Sequence, residues 1–176
     1  MKLQSKRLTF IRYINSHFEE YKRQAMDYEV MKYINGKACT EEEAKEKWQK
    51  VMTANSMDDI LGYYSVRRTN DNEVLGLAKL LYYGSEKGLT EGKQTGTVEV
   101  GYALFSEFWG KGYASEITEF FTEFAKTYDD INEVIAIINP ENIASSRVLK
   151  KCGYTLYSTE LFNGTSPSEW YKINLK

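Results

Sequence analysis

The chain has few of the residues that build metal centres and histidine-based active sites. Its 176 residues include one histidine, His17, and two cysteines, Cys39 and Cys152. The cysteines lie far apart in the sequence and show none of the paired Cys or His spacings of a zinc site. The sequence therefore predicts no metal site and no histidine-based catalytic triad.

Long apolar runs and an excess of charge of one sign are also missing. No apolar segment approaches the roughly 18 residues needed to span a bilayer, and residues 1–14 lack the apolar core and cleavage site of a signal peptide. The 23 basic and 25 acidic residues leave a net charge of -2, with no global attraction to nucleic acid or anionic lipid. We expect a single cytoplasmic domain over residues 1–176, without nucleic-acid or membrane partners.

The order of apolar patterns predicts an α/β (α+β) fold. Helical patterns run up to residue 30, from Thr40, where Glu43 completes a capping box, over 113–128 and over 142–152. Strand patterns cover 7–14, 59–68, 73–83, 97–105, 133–138, 154–162 and 169–175. The alternation of strand and helix in the second half predicts one parallel strand pair within a mostly antiparallel sheet, flanked by about four helices. The glycine-rich segment 84–96 is predicted to be a mobile loop.

The stretch EFWGKGYASEI places Gly110 and Gly112 where a helix begins. Glycine destabilises a helix interior by about 1 kcal/mol relative to alanine. The two glycines therefore indicate that the backbone itself has a special conformation or contact here. A helix N-terminus with close backbone approach binds phosphate, and Lys111 can add charge at its rim. The stretch lacks the Walker and dinucleotide patterns. On its own it fits a glycine turn without a ligand better than a ligand site.

A second stretch, NPENIASSRVLKKCGY, follows the next predicted strand. It places Asn142, Ser145 and Ser146 at the start of a helix. Because helices that follow adjacent parallel strands begin at the same sheet edge, both stretches would line one cleft.

Together, VEVGYALFSEFWGKGYASEI and NPENIASSRVLKKCGY resemble the two cofactor motifs of the GNAT superfamily of acetyl-CoA-dependent N-acetyltransferases, in particular the RimJ/RimL-like branch that acetylates ribosomal-protein N-termini. SKRLTFIRY resembles the opening strand of that branch. The resemblance implies a central pair of splayed strands with acetyl-CoA between them and no metal. The cofactor residues that it implies are Leu104, Phe105, Trp109, Gly110, Lys111, Gly112, Tyr113, Ala114, Ser115, Asn139, Asn142 and Ser145.

The implied acceptor is an amine, most suitably a protein N-terminal α-amine. A small amine such as a polyamine, an amino acid or an antibiotic is the alternative, and a non-catalytic acyl-CoA-binding module is a third reading. Exposed tyrosines could support a homodimer, and Tyr33, Tyr82, Tyr83 and Tyr102 could wall an acceptor tunnel, although core packing explains most tyrosines.

Three residues are candidates for the chemistry. Glu99, on the strand leading to the thioester, is the first candidate base, and an ion-paired glutamate is the alternative interpretation. Glu160 is the second candidate base, or else a solvent-facing glutamate. Ser145 could protonate the leaving thiolate or simply cap its helix. Two departures from the family pattern bear on this: Leu149 stands where many members have a tyrosine acid, and SPSEWY replaces a His-Asp pair.

Overall fold

The structure, a computed structural model, describes residues 2–162 and 164–176. Met1 and Asn163, which the predicted domain includes, lie outside the described residues. Within the described part, eight strands form one sheet in the order β1-β2-β3-β4-β5-β6-β8-β7. The strands are β1 (Lys2–Gln4), β2 (Leu8–Arg12), β3 (Gly62–Arg68), β4 (Val74–Tyr82), β5 (Thr97–Leu104), β6 (Glu133–Ile138), β7 (Thr155–Phe162) and β8 (Ser166–Asn174).

Six α-helices connect and cover the strands of this described region. They are α1 (Phe18–Ala25), α2 (Tyr28–Met31), α3 (Glu41–Met57), α4 (Glu91–Thr95), α5 (Tyr113–Ala125) and α6 (Ile143–Lys151). Four of them have eight or more residues, which matches the predicted number of helices. The predicted capping box also forms, because the Thr40 hydroxyl accepts the Glu43 amide at 3.2 Å and the Glu43 carboxylate accepts the Thr40 amide at 2.9 Å.

The sheet is antiparallel except between β5 and β6. The parallel ladder covers only the start of these strands, from Thr97 opposite Glu133 to Glu99 opposite Ile135. Beyond this point β5 continues to Leu104 and β6 to Ile138 without mutual pairing among the described residues. The predicted α/β fold with a splayed parallel pair is therefore confirmed, and the splay opens a gap in the middle of the sheet.

Helices cover both faces of the sheet. Phe10 on β2 packs against Phe121 of α5, with ring centroids 4.9 Å apart. Tyr13, just after β2, packs against Trp48 of α3 at 5.4 Å. Because side chains alternate along an extended chain, Phe10 and Tyr13 point to opposite faces. Helix α5 therefore covers one face, while α3 covers the other.

The segment 84–96 differs from the predicted mobile loop. It contains a short 3-10 helix (Ser85–Lys87) and α4. Gly92 is buried in α4, and its amide donates to the Tyr83 carbonyl at 3.0 Å. A Cβ on Gly92 would come within 2.2 Å of the Tyr83 nitrogen, so this glycine is needed for close packing. Glycine content alone suggested a loop, whereas here it marks backbone contact.

Candidate active site

A cavity of about 660 Å³ lies where β5 and β6 separate. Its walls come from both strands, from α2 and from the first turns of α5 and α6. The predicted cofactor residues on its lining are Leu104, Trp109, Gly110, Gly112, Tyr113, Ala114, Ser115, Asn139, Asn142 and Ser145. The two sequence motifs, about 30 residues apart, are thus brought to one site by the parallel strand pair.

Backbone conformation explains the two glycines of the first motif. Gly110 (φ +71°) and Gly112 (φ +78°) both adopt the left-handed conformation that side chains disfavour. Their turns lead the chain into α5, and the Trp109 indole N–H fixes the loop by donating to the Leu104 carbonyl at 2.8 Å. A Cβ on Gly110 would meet no atom within 4 Å, so bare backbone faces open space there.

The N-terminus of α5 is arranged as an anion site. The first amide groups of a helix have no partner within the helix, and the helix dipole adds about half a positive charge. In the described chain no side chain caps this end, and the first intrahelical bond is from the Glu116 amide to the Gly112 carbonyl at 3.1 Å. Tyr113, Ala114 and Ser115 precede that bond and line the cavity. Their amides are therefore suited to hold a phosphate group.

The start of α6 supplies polar groups to the same cavity. The Asn142 side chain caps the helix by accepting the Ser145 amide at 3.1 Å. The Ser145 hydroxyl accepts a hydrogen bond from the Tyr102 hydroxyl at 3.2 Å. Burial raises the pKa of Tyr102 to about 12, so its hydroxyl stays protonated near neutral pH.

Two predicted cofactor residues lie outside the cavity lining. The Phe105 ring is buried and packs under the Arg23 guanidinium, 4.5 Å from the ring centroid. The Lys111 ammonium lies 5.5 Å from the centroid of the Phe108 ring. The backbone of both residues still forms the loop between β5 and α5.

The segment that matches a known protein family spans nearly the same residues as the elements that build this site. Residues 7–155 match the model of the acetyltransferase (GNAT) domain. The chain belongs to the GNAT family of acetyltransferases. It is 29% identical over 153 residues to YnaD, an uncharacterized N-acetyltransferase of Bacillus subtilis (strain 168), over 87% of this chain and 82% of YnaD. This GNAT protein is therefore an N-acetyltransferase, an enzyme of the acyltransferase class.

Two solved structures share the GNAT fold with this chain. RimL, the ribosomal L7/L12 α-N-protein acetyltransferase in complex with coenzyme A, has a TM-score of 0.78 at 16% identity, covering 99% of this chain and 98% of RimL. Spermidine N-acetyltransferase from Vibrio cholerae, in complex with CoA and spermine, has a TM-score of 0.73 at 16% identity, covering 97% of each chain. These likenesses concern the fold, and both proteins were solved with CoA.

The first candidate base of this GNAT domain, Glu99, lies in a buried ion pair. The Lys79 ammonium lies 2.7 Å from the Glu99 carboxylate and 2.9 Å from that of Glu86, which also accepts a hydrogen bond from the Tyr63 hydroxyl. Burial raises the pKa of Glu99 in spite of Lys79, whereas Lys79 lowers the pKa of Glu86 to about 2. Glu99 is not part of the cavity lining, although Gly101, two residues further along the same strand face, is.

The second candidate base, Glu160, is exposed on the edge strand β7 and accepts a hydrogen bond from the Ser158 hydroxyl at 3.1 Å. It does not line the cavity. Of the four tyrosines considered for an acceptor tunnel, Tyr33 and Tyr102 line the cavity. Tyr82 instead donates to Asp130 at 2.6 Å, and Tyr83 packs against Trp170 at 6.0 Å between ring centroids.

Sequence reasoning missed Arg7, which braces the loop that leads into α5. Its side chain pairs with Glu116 of α5 at 2.6 Å and donates to the Lys111 carbonyl at 3.1 Å. Its guanidinium also lies 4.5 Å from the centroid of the Tyr113 ring. Arg7 and Glu116 are 109 positions apart, so no local pattern could have revealed the contact.

Within residues 2–162 and 164–176, no group of three or more His, Cys, Asp or Glu side chains is arranged to hold a metal ion. No helix there combines the length and apolar character needed to cross a membrane.

Proposed function

We propose that this protein, as one GNAT domain, transfers an acetyl group from acetyl-CoA to a primary amine in a ternary complex, and that a protein N-terminal α-amine is its acceptor. The observation that carries the proposal is the shared cavity. There the uncapped N-terminus of α5, with Gly110 and Gly112 beside it, meets the Asn142 and Ser145 pair of α6. We place the protein in the cytoplasm, within the RimJ/RimL-like branch.

The residues present fit acetyl-CoA. The open backbone at Gly110 and the free helix amides of Tyr113, Ala114 and Ser115 would hold its pyrophosphate. The edge of β5 near Leu104, which β6 leaves unpaired, would accompany its pantetheine arm. Bound acetyl-CoA supplies an activated acetyl thioester. Neither Phe105 nor Lys111 contributes a side chain to the lining, so we assign both only backbone roles.

An α-amine suits this site better than a lysine side chain. At pH 7, deprotonating an α-amine with a pKa near 7.7–8.0 costs about 1 kcal/mol, whereas a lysine near 10.4 costs about 4.6 kcal/mol. Glu99 is our candidate base. Two residues along a strand span about 7 Å, so Glu99 would receive the proton through water near Gly101. Its raised pKa makes it a stronger base than an exposed glutamate.

A thermal melt with and without acetyl-CoA tests cofactor binding first. At a ligand concentration of about 100 times Kd the stabilisation is about 2.7 kcal/mol, which corresponds to a rise in Tm of about 5–11 °C for a chain of this size. The absence of any rise at millimolar acetyl-CoA would contradict the proposal.

Turnover is then measured on a panel of peptides with free N-termini, polyamines, amino acids and aminoglycosides. Acetylation of peptides supports the proposal, and turnover of small amines alone would replace its acceptor. Binding without turnover of any amine would indicate an acyl-CoA-binding module.

Changing Glu99 to Gln tests the base. We expect kcat to fall about 100-fold with the affinity for acetyl-CoA unchanged, because general base catalysis contributes about that much. Glu133→Gln is the matched control, since Glu133 is also ion-paired in the sheet, 3.3 Å from Lys172, but does not line the cavity or neighbour Gly101. Unaltered turnover in Glu99→Gln would rule out Glu99 and direct the test to Glu160.

The predicted homodimer stays a prediction. Tyr28 and Tyr157 are the exposed tyrosines most suited to such a contact among the described residues, at 56% and 46% exposure. Sedimentation measurements on the wild-type chain would detect the dimer.

A further inference from the structure

Ser145 is held by two contacts, one through its backbone amide and one through its hydroxyl oxygen. Its backbone amide donates to the Asn142 side chain at 3.1 Å, which fixes the first turn of α6. Its oxygen accepts the Tyr102 hydroxyl at 3.2 Å, and Tyr102 and Ser145 both line the cavity. Helix capping accounts for the first contact, but it does not require the second.

The Tyr102 contact determines which way the serine proton points. A serine hydroxyl has one proton to donate and two lone pairs that accept. The geometry of this pair makes the Tyr102 hydroxyl the donor and the Ser145 hydroxyl oxygen the acceptor. Burial also raises the pKa of Tyr102 to about 12, so the tyrosine keeps the proton that it donates. The proton of Ser145 is therefore available to a partner in the cavity.

Helix α6, all of which the structure describes, has no second hydroxyl that can donate a hydrogen bond into the cavity. Leu149, one helical turn after Ser145, is buried and lines the same cavity with an apolar side chain. The Ser146 hydroxyl forms a hydrogen bond with Tyr171 at 2.8 Å and does not line the cavity. Among the described residues of α6, Ser145 is the hydroxyl on the cavity wall.

We propose that Tyr102 is a positioning residue of the acetyl transfer, acting through Ser145 by holding the serine hydroxyl as a hydrogen-bond donor to the departing thiolate. This inference rests on the proposed function. Ser145 donates a hydrogen bond and keeps its proton, and Tyr102 does the same, so neither residue changes its ionisation. Tyr102 thereby supplies, from β5, support for the role that a tyrosine of α6 would otherwise fill.

A double-mutant cycle with Tyr102→Phe and Ser145→Ala tests the coupling. We expect Tyr102→Phe to lower kcat about tenfold, as for one neutral hydrogen bond, with the KM for acetyl-CoA nearly unchanged. In the Ser145→Ala background the same change should alter kcat by less than about twofold, because the route through Ser145 is already lost.

Tyr154→Phe is the matched control. Tyr154 is also buried, and its hydroxyl forms a hydrogen bond with the Thr122 hydroxyl at 2.6 Å, but it does not line the cavity. It should lose stability as Tyr102→Phe does and keep its kcat. Thermal melts of both variants establish that they are folded.

A second measurement needs no acceptor. The thiol of bound CoA can be titrated by the ultraviolet absorbance of its thiolate, and a hydrogen bond donated to the thiolate lowers the thiol pKa. We expect this pKa to be higher by about one pH unit in Ser145→Ala than in the wild type, since one hydrogen bond to a charged group is removed. In Tyr102→Phe the thiol pKa should rise in the same direction but by less, because the serine donor remains and only its positioning is lost. Tyr154→Phe should match the wild type.

The outcomes separate this inference from the proposed function. Equal effects of Tyr102→Phe in both backgrounds, a change in KM alone, or an unchanged thiol pKa would overturn the role of Tyr102 while leaving the acetyltransferase intact. If the wild type binds no CoA, the proposed function fails, and the role of Tyr102 fails with it.

Discussion

Replacing Gly112 with alanine separates the two reasons for a glycine at the start of α5. Gly112 has a φ of +78°, and an added Cβ would lie 3.5 Å from the nearest atom, a nitrogen of the Arg7 guanidinium. That distance is an ordinary van der Waals contact, so the cost of the change is backbone strain alone. A left-handed conformation costs a non-glycine residue about 1–2 kcal/mol, which lowers Tm by about 2–8 °C in a chain of this size.

The same strain can be introduced away from the cavity at Gly153, which follows α6. Its φ is +86°, and a Cβ there would lie 3.6 Å from the Ile173 side chain. Gly153→Ala should therefore destabilise the protein about as much as Gly112→Ala. Only Gly112→Ala should also weaken acetyl-CoA binding, by about tenfold or more, because tilting the first turn of α5 disturbs hydrogen bonds to a charged phosphate.

The assay is a thermal melt of both variants with and without acetyl-CoA, followed by calorimetric measurement of Kd. A Gly112→Ala protein that loses stability but keeps the wild-type Kd would refute the phosphate-binding role of this turn. Equal losses of affinity in both variants would show that strain, wherever it is placed, weakens binding indirectly.

Two ion pairs give the remaining predictions. Lys79→Met should lower the free energy of unfolding by about 3 kcal/mol at pH 7, because it leaves the buried carboxylate of Glu99 and the half-buried carboxylate of Glu86 without their shared cation. Adding Glu99→Gln should restore part of the loss in denaturant titrations, and a loss below about 1 kcal/mol would contradict the reasoning. For Glu116, burial raises the pKa, but hydrogen bonds from Ser5 and Arg7 outweigh it and lower the pKa in the folded protein. Its contribution to stability is thus complete above the ordinary pKa near 4.3 and is lost as pH falls through the lower folded value. The difference in unfolding free energy between wild type and Glu116→Gln should shrink below about pH 4, and a constant difference would count against the bridge.

Local signals in the sequence predicted much of the fold. Thr40 and Glu43 are three residues apart, and their capping box forms as the spacing indicates. The glycines at 110 and 112 indicated a turn or close backbone approach before α5, and both adopt left-handed backbone there. The alternation of strands and helices after residue 97 predicted the parallel pair. These features depend on neighbours within one or two turns of the chain, so their causes are visible in the residue order.

The same kind of reasoning was wrong about segment 84–96, for a physical reason. Its glycines predict a mobile loop, but Gly92 is glycine because a Cβ there would lie within 2.7 Å of backbone atoms of Tyr83 and Thr97. Composition cannot distinguish a glycine that is needed for freedom from one that is needed for space. Only the packed structure shows which of the two applies.

The sequence by itself determined the starts of α3, α5 and α6, the parallel strand pair and the two motifs that meet beside it, since each follows from local conformational preference and hydrophobic pattern. The tertiary structure alone decided the contacts between distant positions. It paired Glu99 with Lys79, bridged Arg7 to Glu116 and joined the Tyr102 hydroxyl to Ser145. These pairs are 20 to 109 positions apart. Their partners become neighbours only when the sheet brings its strands and helices together, because hydrogen bonds and ion pairs act over a few ångströms.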